Sequence, residues 1–332
     1  LIITQCNIQV EMMENKDKSS KQLCWAYLLH LGYNMWGDRG PDNALPERVK
    51  SKYPPRSYLR CDKKIWDDLL KKFVKAGINM VVIDLGEGVK YDSHPELAVR
   101  GSWTPSFLKK EIAKMRKMGL EPIPKLNFSA CHDFWLGKYA RMVSTDIYYG
   151  VCRDLIEEVI DIFDKPGLFH LGMDEETARH QERLLYAVIR QHELWWHDLY
   201  FLVNAVEKKG VRAWIWSDYL WNHPDEFFSK MPKSVLQSNW YYGNVFNKQV
   251  SYVKAYLELE KHCYDQIPTG SNWLFAENFT MTVDYCKKHI APERLLGFLQ
   301  TSWRATLKYW HKAHLNAIRE VKKGIEIYSS KS

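Results

Sequence analysis

The chain has 332 residues, 46% of them hydrophobic, which is enough to build one large domain or two small ones. No apolar run reaches the roughly 18 residues that a membrane-spanning helix requires, so we expect no membrane span. The net charge of +7 is modest and the lysines lie mainly on predicted helix faces, so we expect a solvated surface and no nucleic-acid partner.

The N-terminal residues 1–20 are predicted to be an extension or linker stub, followed by one domain over residues 21–332. The apolar stretch from Leu1 to Cys6 is too short for a signal peptide but is compatible with the end of one that has been removed. Removal of such a segment would make the protein secreted or periplasmic. The seven cysteines form an odd set without a CxxC pair, so we expect mostly free or buried thiols and no metal or other cofactor.

Helical and strand-like segments alternate along the domain. Apolar residues repeat on one helical face between Asp62, which is suited to N-capping, and Gly77, a typical residue just after a helix end. The next run, INMVVIDLG, is rich in β-branched residues and is typical of a strand buried on both faces. A helix from Thr104 to Gly119 and the strand-like run LEPIPKLNF follow, although two prolines are awkward for a central strand.

The same unit recurs towards the C-terminus. We count CWAYLLHLGY as the first of eight strands, and the later ones are LFHLGMDEE, VRAWIWSD, SVLQSNWYY, NWLFAENF and LGFLQTSW. A long helix is predicted from about Arg183 to Lys209. Eight βα units predict an α/β fold of the (β/α)8 TIM-barrel type. A doubly wound open sheet would usually have fewer strands and a glycine-rich first turn, which this sequence lacks.

Polar and aromatic residues recur at the predicted strand ends. In a (β/α)8 barrel these ends form one face, and the chemistry takes place there. The residues expected on this face are His30, Asn34, Asp84, Glu87, Asn127, His132, Asp174, Glu175, Trp216, Asp218, Trp240, Tyr241, Tyr242, Glu277, Asn278, Trp303 and Arg304. Carboxylates beside indoles favour a sugar site, because paired carboxyl groups cleave glycosidic bonds and aromatic faces suit sugar rings.

The segment HLGMDEE resembles the His-x-Gly-Gly-Asp-Glu motif of the family 20 glycoside hydrolases, the β-N-acetylhexosaminidases. The matching residues are His170, Gly172, Asp174 and Glu175. Met173 replaces the second glycine of the motif. The likeness runs from about residue 24 to 303 and includes KAGINMVVIDL, MGLEPIPKLNFSACH and RAWIWSD. It implies a retaining glycosidase that acts on an oligosaccharide or glycoconjugate.

The resemblance also implies roles for individual residues. Glu175 would be the general acid/base. Asp174 would orient the 2-acetamido group of the substrate, whose oxygen attacks the anomeric carbon in place of an enzyme nucleophile. The residues that we expect to contact the sugar are His132, His170, Trp216, Asp218, Trp240, Tyr242, Glu277 and Trp303.

Besides Met173, three places in the sequence depart from the family pattern. Tyr33 lies near the point where the family has an arginine after the first strand. Residues 275–277, Phe-Ala-Glu, replace a Tyr-x-Asp on the seventh strand, and residues 303–305, Trp-Arg-Ala, replace a Trp-x-Glu on the eighth. The hydroxyl that holds the acetamido oxygen in the family would therefore have to come from Tyr241 or Tyr242.

Other functions are compatible with the sequence. Glu175 and Glu277 would also suit a retaining β-glycosidase in which Glu277 is a covalent nucleophile, if their carboxyl groups lie about 5–5.5 Å apart. A carbohydrate-binding barrel without activity is the non-enzymatic alternative. Arg304, together with the positive net charge, hints at a sulfated or acidic sugar. The oligomeric state is left open.

Some polar residues have structural interpretations. Acidic residues favour a helix N-terminus, and Glu176 suits that capping role better than a catalytic one. Two histidine pairs fall on predicted helices away from the strand ends, so we expect them to face solvent without a neighbouring acid that would complete a metal site. These pairs are His192/His197 and His311/His314.

Overall fold

The computed structural model describes residues 23–36, 54–182 and 184–330. Within these ranges the strands are β1 Cys24–His30, β2 Met80–Asp84, β3 Glu121–Lys125, β4 Leu168–His170, β5 Arg212–Trp216, β6 Leu236–Ser238, β7 Thr269–Ser271 and β8 Gly297–Ala305. They form one parallel sheet in the order β6-β5-β4-β3-β2-β1-β8-β7. The predicted extension over residues 1–20 lies outside the described residues.

The two edges of the sheet meet between β6 and β7. The Ile267 N–H donates to the Gln237 carbonyl at 2.9 Å, and the Thr269 N–H donates to the Asn239 carbonyl at 2.9 Å. These bonds join the last pair of strands and close the sheet into a barrel. The prediction of a (β/α)8 barrel is therefore confirmed.

Helices separate successive strands along most of the described chain. Their bounds are α1 Lys63–Ala76, α2 Pro105–Lys117, α3 Asp146–Ile162, α4 Ala178–Gln181, α5 His192–Glu207, α6 Tyr219–Asn222, α7 Pro224–Lys230, α8 Ser251–Lys261, α9 Asn278–His289 and α10 His311–Ser329. Asp62 caps α1 by accepting from the N–H groups of Lys64 and Ile65, as its sequence position predicts. The long helix predicted from Arg183 was wrong at its start, because α5 begins only at His192.

The core has two layers. One cluster fills the barrel interior with Ala26, Leu28, Met80, Val82, Ile123, Trp214, Trp216, Leu236, Ile267 and Leu299. A second and larger cluster packs the outer faces of the strands against the helices. This double burial explains why the strands appear in the sequence as continuous apolar runs. No helix among the described residues is long and apolar enough to cross a membrane.

The two prolines of β3 are accommodated by limited pairing with β4. Every residue of β3, including Pro122 and Pro124, pairs with β2. In contrast, β3 pairs with β4 only through Lys125 and His170. A proline has no N–H to donate to a neighbouring strand, so it weakens a central strand. The remaining β3–β4 contact lies at the C-terminal strand end, where the candidate site is built.

The seventh strand was predicted too late in the chain. The sequence favoured NWLFAENF, but β7 is Thr269–Ser271 and the apolar residues that follow it lie in a loop. Leu274 is 64% exposed and Phe275 is 40% exposed. The true strand contains a glycine and a serine and has little β-propensity of its own, so its pairing with β8 defines it.

The histidines and cysteines differ in part from expectation. His314 is fully buried and its Nδ1 lies 2.9 Å from the Tyr27 hydroxyl, so the expectation that it faces solvent was wrong. Its position on the inner face of α10 explains the burial. Among the described residues, the cysteines outside disulfide bonds are Cys24, Cys61, Cys131, Cys152 and Cys286. Cys263 is disulfide-bonded.

Candidate active site

The chain turns sharply where β4 ends. Gly172, Met173 and Glu175 have φ angles of 76°, 69° and 58°, all in the left-handed region. Such angles cost about 1–3 kcal/mol each for residues other than glycine, so neighbouring groups must hold the turn. The Asn127 amide donates to Asp174 Oδ1 at 3.0 Å, and the Ser129 hydroxyl donates to the Asp174 carbonyl. The loop after β3 therefore fixes the direction of Asp174.

His132 lies between the two candidate catalytic carboxylates. Its Nδ1 is 3.3 Å from Asp174 Oδ1, and its Nε2 is 3.3 Å from Glu175 Oε2. Asp174 is buried, whereas the Glu175 side chain is 27% exposed. One imidazole thus couples both carboxyl groups, and Glu175 keeps access to the open side of the barrel.

The charges of Asp174 and His132 stabilise each other. Burial opposes ionisation of Asp174, but the charge and hydrogen bond of His132, together with Lys125 and Asn127, lower the pKa of Asp174 to about 2. Burial alone would lower the pKa of His132, but the adjacent Cys131 and Asp174 raise it well above its usual value. Asp174 is therefore ionised beside a protonated His132 at neutral pH.

Asp218 supports the same turn from the end of β5. Its Oδ2 accepts a hydrogen bond from the backbone N–H of Glu175 at 2.7 Å. Burial, followed by the nearby charge of Asp174, raises the pKa of Asp218 well above its usual value. Two neighbouring carboxyl groups thus have pKa values displaced in opposite directions, an arrangement that is common in active sites.

Aromatic side chains surround the carboxylates. The His170 ring lies 4.3 Å from the Trp216 ring, which lies 6.0 Å from the Trp303 ring. The Trp303 indole N–H donates to the Tyr242 hydroxyl at 3.0 Å, and Tyr242 stacks on Trp240 with centroids 5.0 Å apart. The structure therefore brings these five predicted site residues into one continuous wall.

Tyr242 belongs to the site as well as to the wall. Burial raises the pKa of Tyr242. Hydrogen bonds with Thr301 and Trp303 lower this pKa in part, and the negative charges of Glu175 and Asp174 raise it further. The phenol is therefore neutral and can donate its proton to a bound ligand. Tyr242, which follows β6, therefore supplies a hydroxyl close to the carboxylates of Asp174 and Glu175. In the family pattern this hydroxyl comes from the seventh strand.

A buried ion pair forms the floor of the site. Lys125 Nζ is 2.6 Å from Asp84 Oδ2, and both side chains are buried inside the barrel. Burial and the Lys125 charge together lower the pKa of His170 well below its usual value. The neutral His170 accepts a hydrogen bond from the Gly172 N–H at its Nδ1, at 3.0 Å. His170 therefore supports the turn, and its ring packs against Trp216 at a tilt.

Glu176 does not cap a helix, so that interpretation was wrong. Thr177 is the N-cap of α4, whereas Glu176 accepts a hydrogen bond from the Ala130 N–H at 2.9 Å and pairs with Arg190 through both oxygens. Arg190 is fully buried and also contacts Asp198 at 2.9 Å. This ion-pair network ties the loop after β4 to the loop after β3.

Glu277 is the predicted site residue that the structure keeps away from the others. It is exposed at the N-terminus of α9. Its charge acts on Lys323 of α10, where it adds to the effect of Glu320 in raising the pKa of that lysine. The error follows from the misplaced seventh strand. Its neighbour Asn278 points inward instead and donates to the carbonyls of Tyr241 and Gly243, which shapes the loop that carries Tyr242.

Two residues at the site, Trp36 and Arg60, were not predicted from the sequence. The Trp36 ring lies 6.2 Å from the His132 ring and 6.3 Å from the Trp303 ring. Its position soon after β1 was the available signal. Arg60 packs 4.8 Å from the Tyr33 ring and donates to the Tyr33 carbonyl, so a guanidinium does reach the end of β1, from the loop that follows it. Nothing in the spacing indicated this contact.

Arg304 packs between two aromatic rings. Its guanidinium carbon lies 3.9 Å from the Trp273 centroid and 4.6 Å from the Trp310 centroid. Cation–π contacts on two sides account for a cation at this position. The hint of an acidic sugar stays a prediction.

In the part of the chain that the structure describes, two groups of side chains have the composition of metal ligands. Cys131, His132 and Glu175 lie together in the site, but burial raises the pKa of the Cys131 thiol to about 12, which opposes the thiolate that a metal requires. The second group is His192, His223 and Glu226. The expectation that His192 has no acid nearby was therefore wrong, since Glu226 reaches it from α7.

A cavity of about 380 Å³ extends from the site towards α6 and α8. Its lining includes Glu176, Asp218, Trp221, His223 and Tyr252. Glu176, the residue after Glu175, and Asp218 bring this cavity up to the candidate site.

Taken together, the fold and the site define a (β/α)8 barrel with carboxylates, a histidine and indoles at the C-terminal strand ends. No protein-family model and no curated protein sequence matches the chain. Solved structures do match it, and the chain shares its fold with family 20 β-N-acetylhexosaminidases.

Three of these structures illustrate the likeness. The β-N-acetylhexosaminidase from Bacteroides fragilis NCTC 9343 is 14% identical over 90% of this chain and 65% of that chain, with a TM-score of 0.60. The Streptomyces coelicolor A3(2) β-N-acetylhexosaminidase is 12% identical over 91% and 64%, with a TM-score of 0.59. Flavobacterium johnsoniae chitobiase is 16% identical over 81% and 49%, with a TM-score of 0.56. The chain thus spans less than two thirds of each.

Proposed function

We propose that the protein is a retaining glycoside hydrolase that removes β-linked N-acetylhexosamine by substrate-assisted catalysis. The observation that carries this proposal is the contact of His132 with both Asp174 and Glu175 on a turn enclosed by Trp216, Trp303 and Tyr242. The fold shared with known β-N-acetylhexosaminidases supports it.

The geometry suggests a division of roles. Glu175, on the open side, donates a proton to the leaving oxygen while the acetamido oxygen of the substrate attacks the anomeric carbon. The ionised Asp174 holds the acetamido N–H and balances the positive charge of the cyclic intermediate. Glu175 then takes a proton from the water that opens this intermediate. Two inversions at the same carbon give retention.

Tyr242 would replace the hydroxyl that the family pattern places on the seventh strand. Its neutral phenol lies near both carboxylates and can donate to the acetamido oxygen. Several buried polar atoms at the site make no hydrogen bond to the described residues, among them Trp216 Nε1, Asp218 Oδ1 and His170 Nε2. A ligand rich in hydroxyl groups would satisfy such atoms.

The decisive experiment is turnover of chromogenic β-N-acetylglucosaminide and β-N-acetylgalactosaminide. We expect release by the wild-type protein, and a loss of about 10²–10⁴-fold in Glu175→Gln, because the proton donor is removed. A thiazoline analogue of the intermediate should inhibit. The exposed Glu277→Gln variant is the control and should retain activity.

Two outcomes would overturn the proposal. Loss of activity in Glu277→Gln, with trapping of that residue by a fluorosugar, would indicate the covalent mechanism. Sugar binding by both the wild type and Glu175→Gln, without product from either, would indicate a carbohydrate-binding barrel.

A further inference from the structure

Three metal-ligating side chains meet at the surface beside the candidate active site. His192 is the first residue of α5, His223 lies between α6 and α7, and Glu226 is in the first turn of α7. One ligand atom from each residue lies within 4.8 Å of the other two. His192 Nδ1 and Glu226 Oε2 are only 3.2 Å apart. The proposed function uses none of these residues.

These distances suit a small tetrahedral ion. Zinc binds nitrogen and oxygen ligands at about 2.0–2.2 Å, which places neighbouring ligand atoms about 3.3 Å apart. The His192–Glu226 separation already matches one edge of such a tetrahedron. The ligand atom of His223 lies within 4.8 Å of the other two, so it would complete three ligands after moving closer by at most about 1.5 Å. Two imidazoles and one carboxylate leave a fourth position for water.

Neighbouring groups hold two of the ligands in place. The Tyr219 hydroxyl donates to Glu226 Oε2 at 3.1 Å. The Tyr219 ring stacks on His223, with centroids 4.6 Å apart, and on Trp195, with centroids 3.9 Å apart. Supporting contacts of this kind orient metal ligands and strengthen binding.

The local charge also favours a cation. Lys230 lies 3.3 Å from Glu226 Oε1 and also pairs with Glu193. Two carboxylates thus share one lysine, which leaves a net negative charge when both histidines are neutral. Lys230 contacts the Glu226 oxygen that faces away from His192, so a metal on Oε2 need not displace it.

We propose that His192, His223 and Glu226 form a binding site for a divalent transition metal of the zinc type. The ion would link the start of α5 to the segment that follows β5. That segment contains Asp218, two residues after the strand, which holds the backbone of Glu175. Metal binding would therefore brace one wall of the candidate active site, whichever reaction takes place there.

The test is a Zn²⁺ titration of the chelator-treated full chain by calorimetry, followed by Co²⁺ absorption to report the coordination. We expect one saturable site with a tetrahedral cobalt spectrum. Binding should weaken by at least about tenfold in Glu226→Gln and in His223→Ala. His289→Ala, which removes an exposed histidine on α9, is the matched control and should bind as the wild type does. Melting curves without metal identify any variant that fails to fold.

The cluster of Cys131, His132 and Glu175 is the alternative binding site for the ion, and the Cys131→Ser variant distinguishes the two sites. If Cys131→Ser abolishes Zn²⁺ binding while His223→Ala keeps it, the ion binds in the active site and the proposal is wrong. Unchanged binding in folded Glu226→Gln, or no saturable binding in the wild type, would also overturn it. A site that survives Cys131→Ser and is lost in the folded Glu226→Gln supports it.

Discussion

The Asp218 carboxylate accepts a hydrogen bond from the backbone N–H of Glu175 at 2.7 Å, although the ionised Asp174 lies nearby. This bond holds Glu175 at a φ of 58°, a conformation that is unfavourable for a glutamate. The site therefore keeps a carboxyl group with a raised pKa beside one with a lowered pKa.

This relationship predicts how Asp218→Asn alters stability with pH. Because the folded-state pKa of Asp218 is raised, ionisation of this group disfavours the folded state as the pH rises above the unfolded-state value of about 3.9. The amide introduced by the substitution cannot ionise but retains an oxygen acceptor for Glu175. The unfolding free energy of the variant should therefore improve relative to the wild type as the pH rises above about 4. Urea denaturation across this range measures the trend, and a flat difference would contradict it.

His132→Gln should show the opposite dependence on pH. The raised pKa of His132 stabilises the folded state fully below the unfolded-state pKa of about 6.5, and this contribution is lost as the pH rises through the folded-state pKa. The stability deficit of the variant should be largest near pH 6 and should shrink in alkaline solution. Denaturation curves at several pH values test this. A deficit that is constant with pH would mean that the imidazole acts only through packing.

Removal of Arg190 should strongly destabilise the fold. Arg190→Met leaves Glu176 and Asp198 buried without their cation, which costs about 3–5 kcal/mol in comparable cases. The double variant Arg190→Met, Glu176→Gln should recover part of this loss, because one uncompensated charge is removed. Lys288→Ala breaks only an exposed pair with Asp284 and should change stability by less than about 1 kcal/mol. Chemical denaturation gives all three values, and equal effects of Arg190→Met and Lys288→Ala would be inconsistent with the buried network.

Gly172→Ala should damage both the fold and the candidate site. A Cβ there would lie 2.0 Å from Asn127 Oδ1, and the φ of 76° is already unfavourable for alanine. Gly119 has a similar φ of 79° but nothing within 4 Å of its Cβ position. Gly119→Ala should therefore cost only about 1 kcal/mol of backbone strain, and Gly172→Ala should cost more. Melting temperatures compare them, and equal shifts would argue against the Asn127 contact.

Tyr242→Phe should reduce turnover more than substrate binding. Loss of a hydroxyl that stabilises the attacking acetamido oxygen should lower kcat by about 10²–10³-fold if the proposed role is correct. Tyr241 packs against the outer core, so Tyr241→Phe is the matched control. Steady-state kinetics separate kcat from KM. A change in KM alone would limit Tyr242 to a wall contact.

The sequence predicted the structural features that depend on residues only a few positions apart. The N-cap at Asp62, the left-handed glycine at Gly77 and the buried β-branched run of β2 all occur as predicted. Their spacing was sufficient to infer eight βα units and the barrel. The motif around Asp174 and Glu175 was recognisable for the same reason, since its residues are adjacent in the chain.

Contacts between distant segments were decided by the tertiary structure alone. Strand β7 has little propensity of its own and forms because β8 and the β6 edge offer partners. The buried pairing of Arg190 with Glu176 and the approach of Glu226 to His192 join residues 14 and 34 positions apart, which local periodicity does not encode. Composition and period determined which elements form, but closure of the barrel determined which side chains meet, because only closure brings the strand ends to one face.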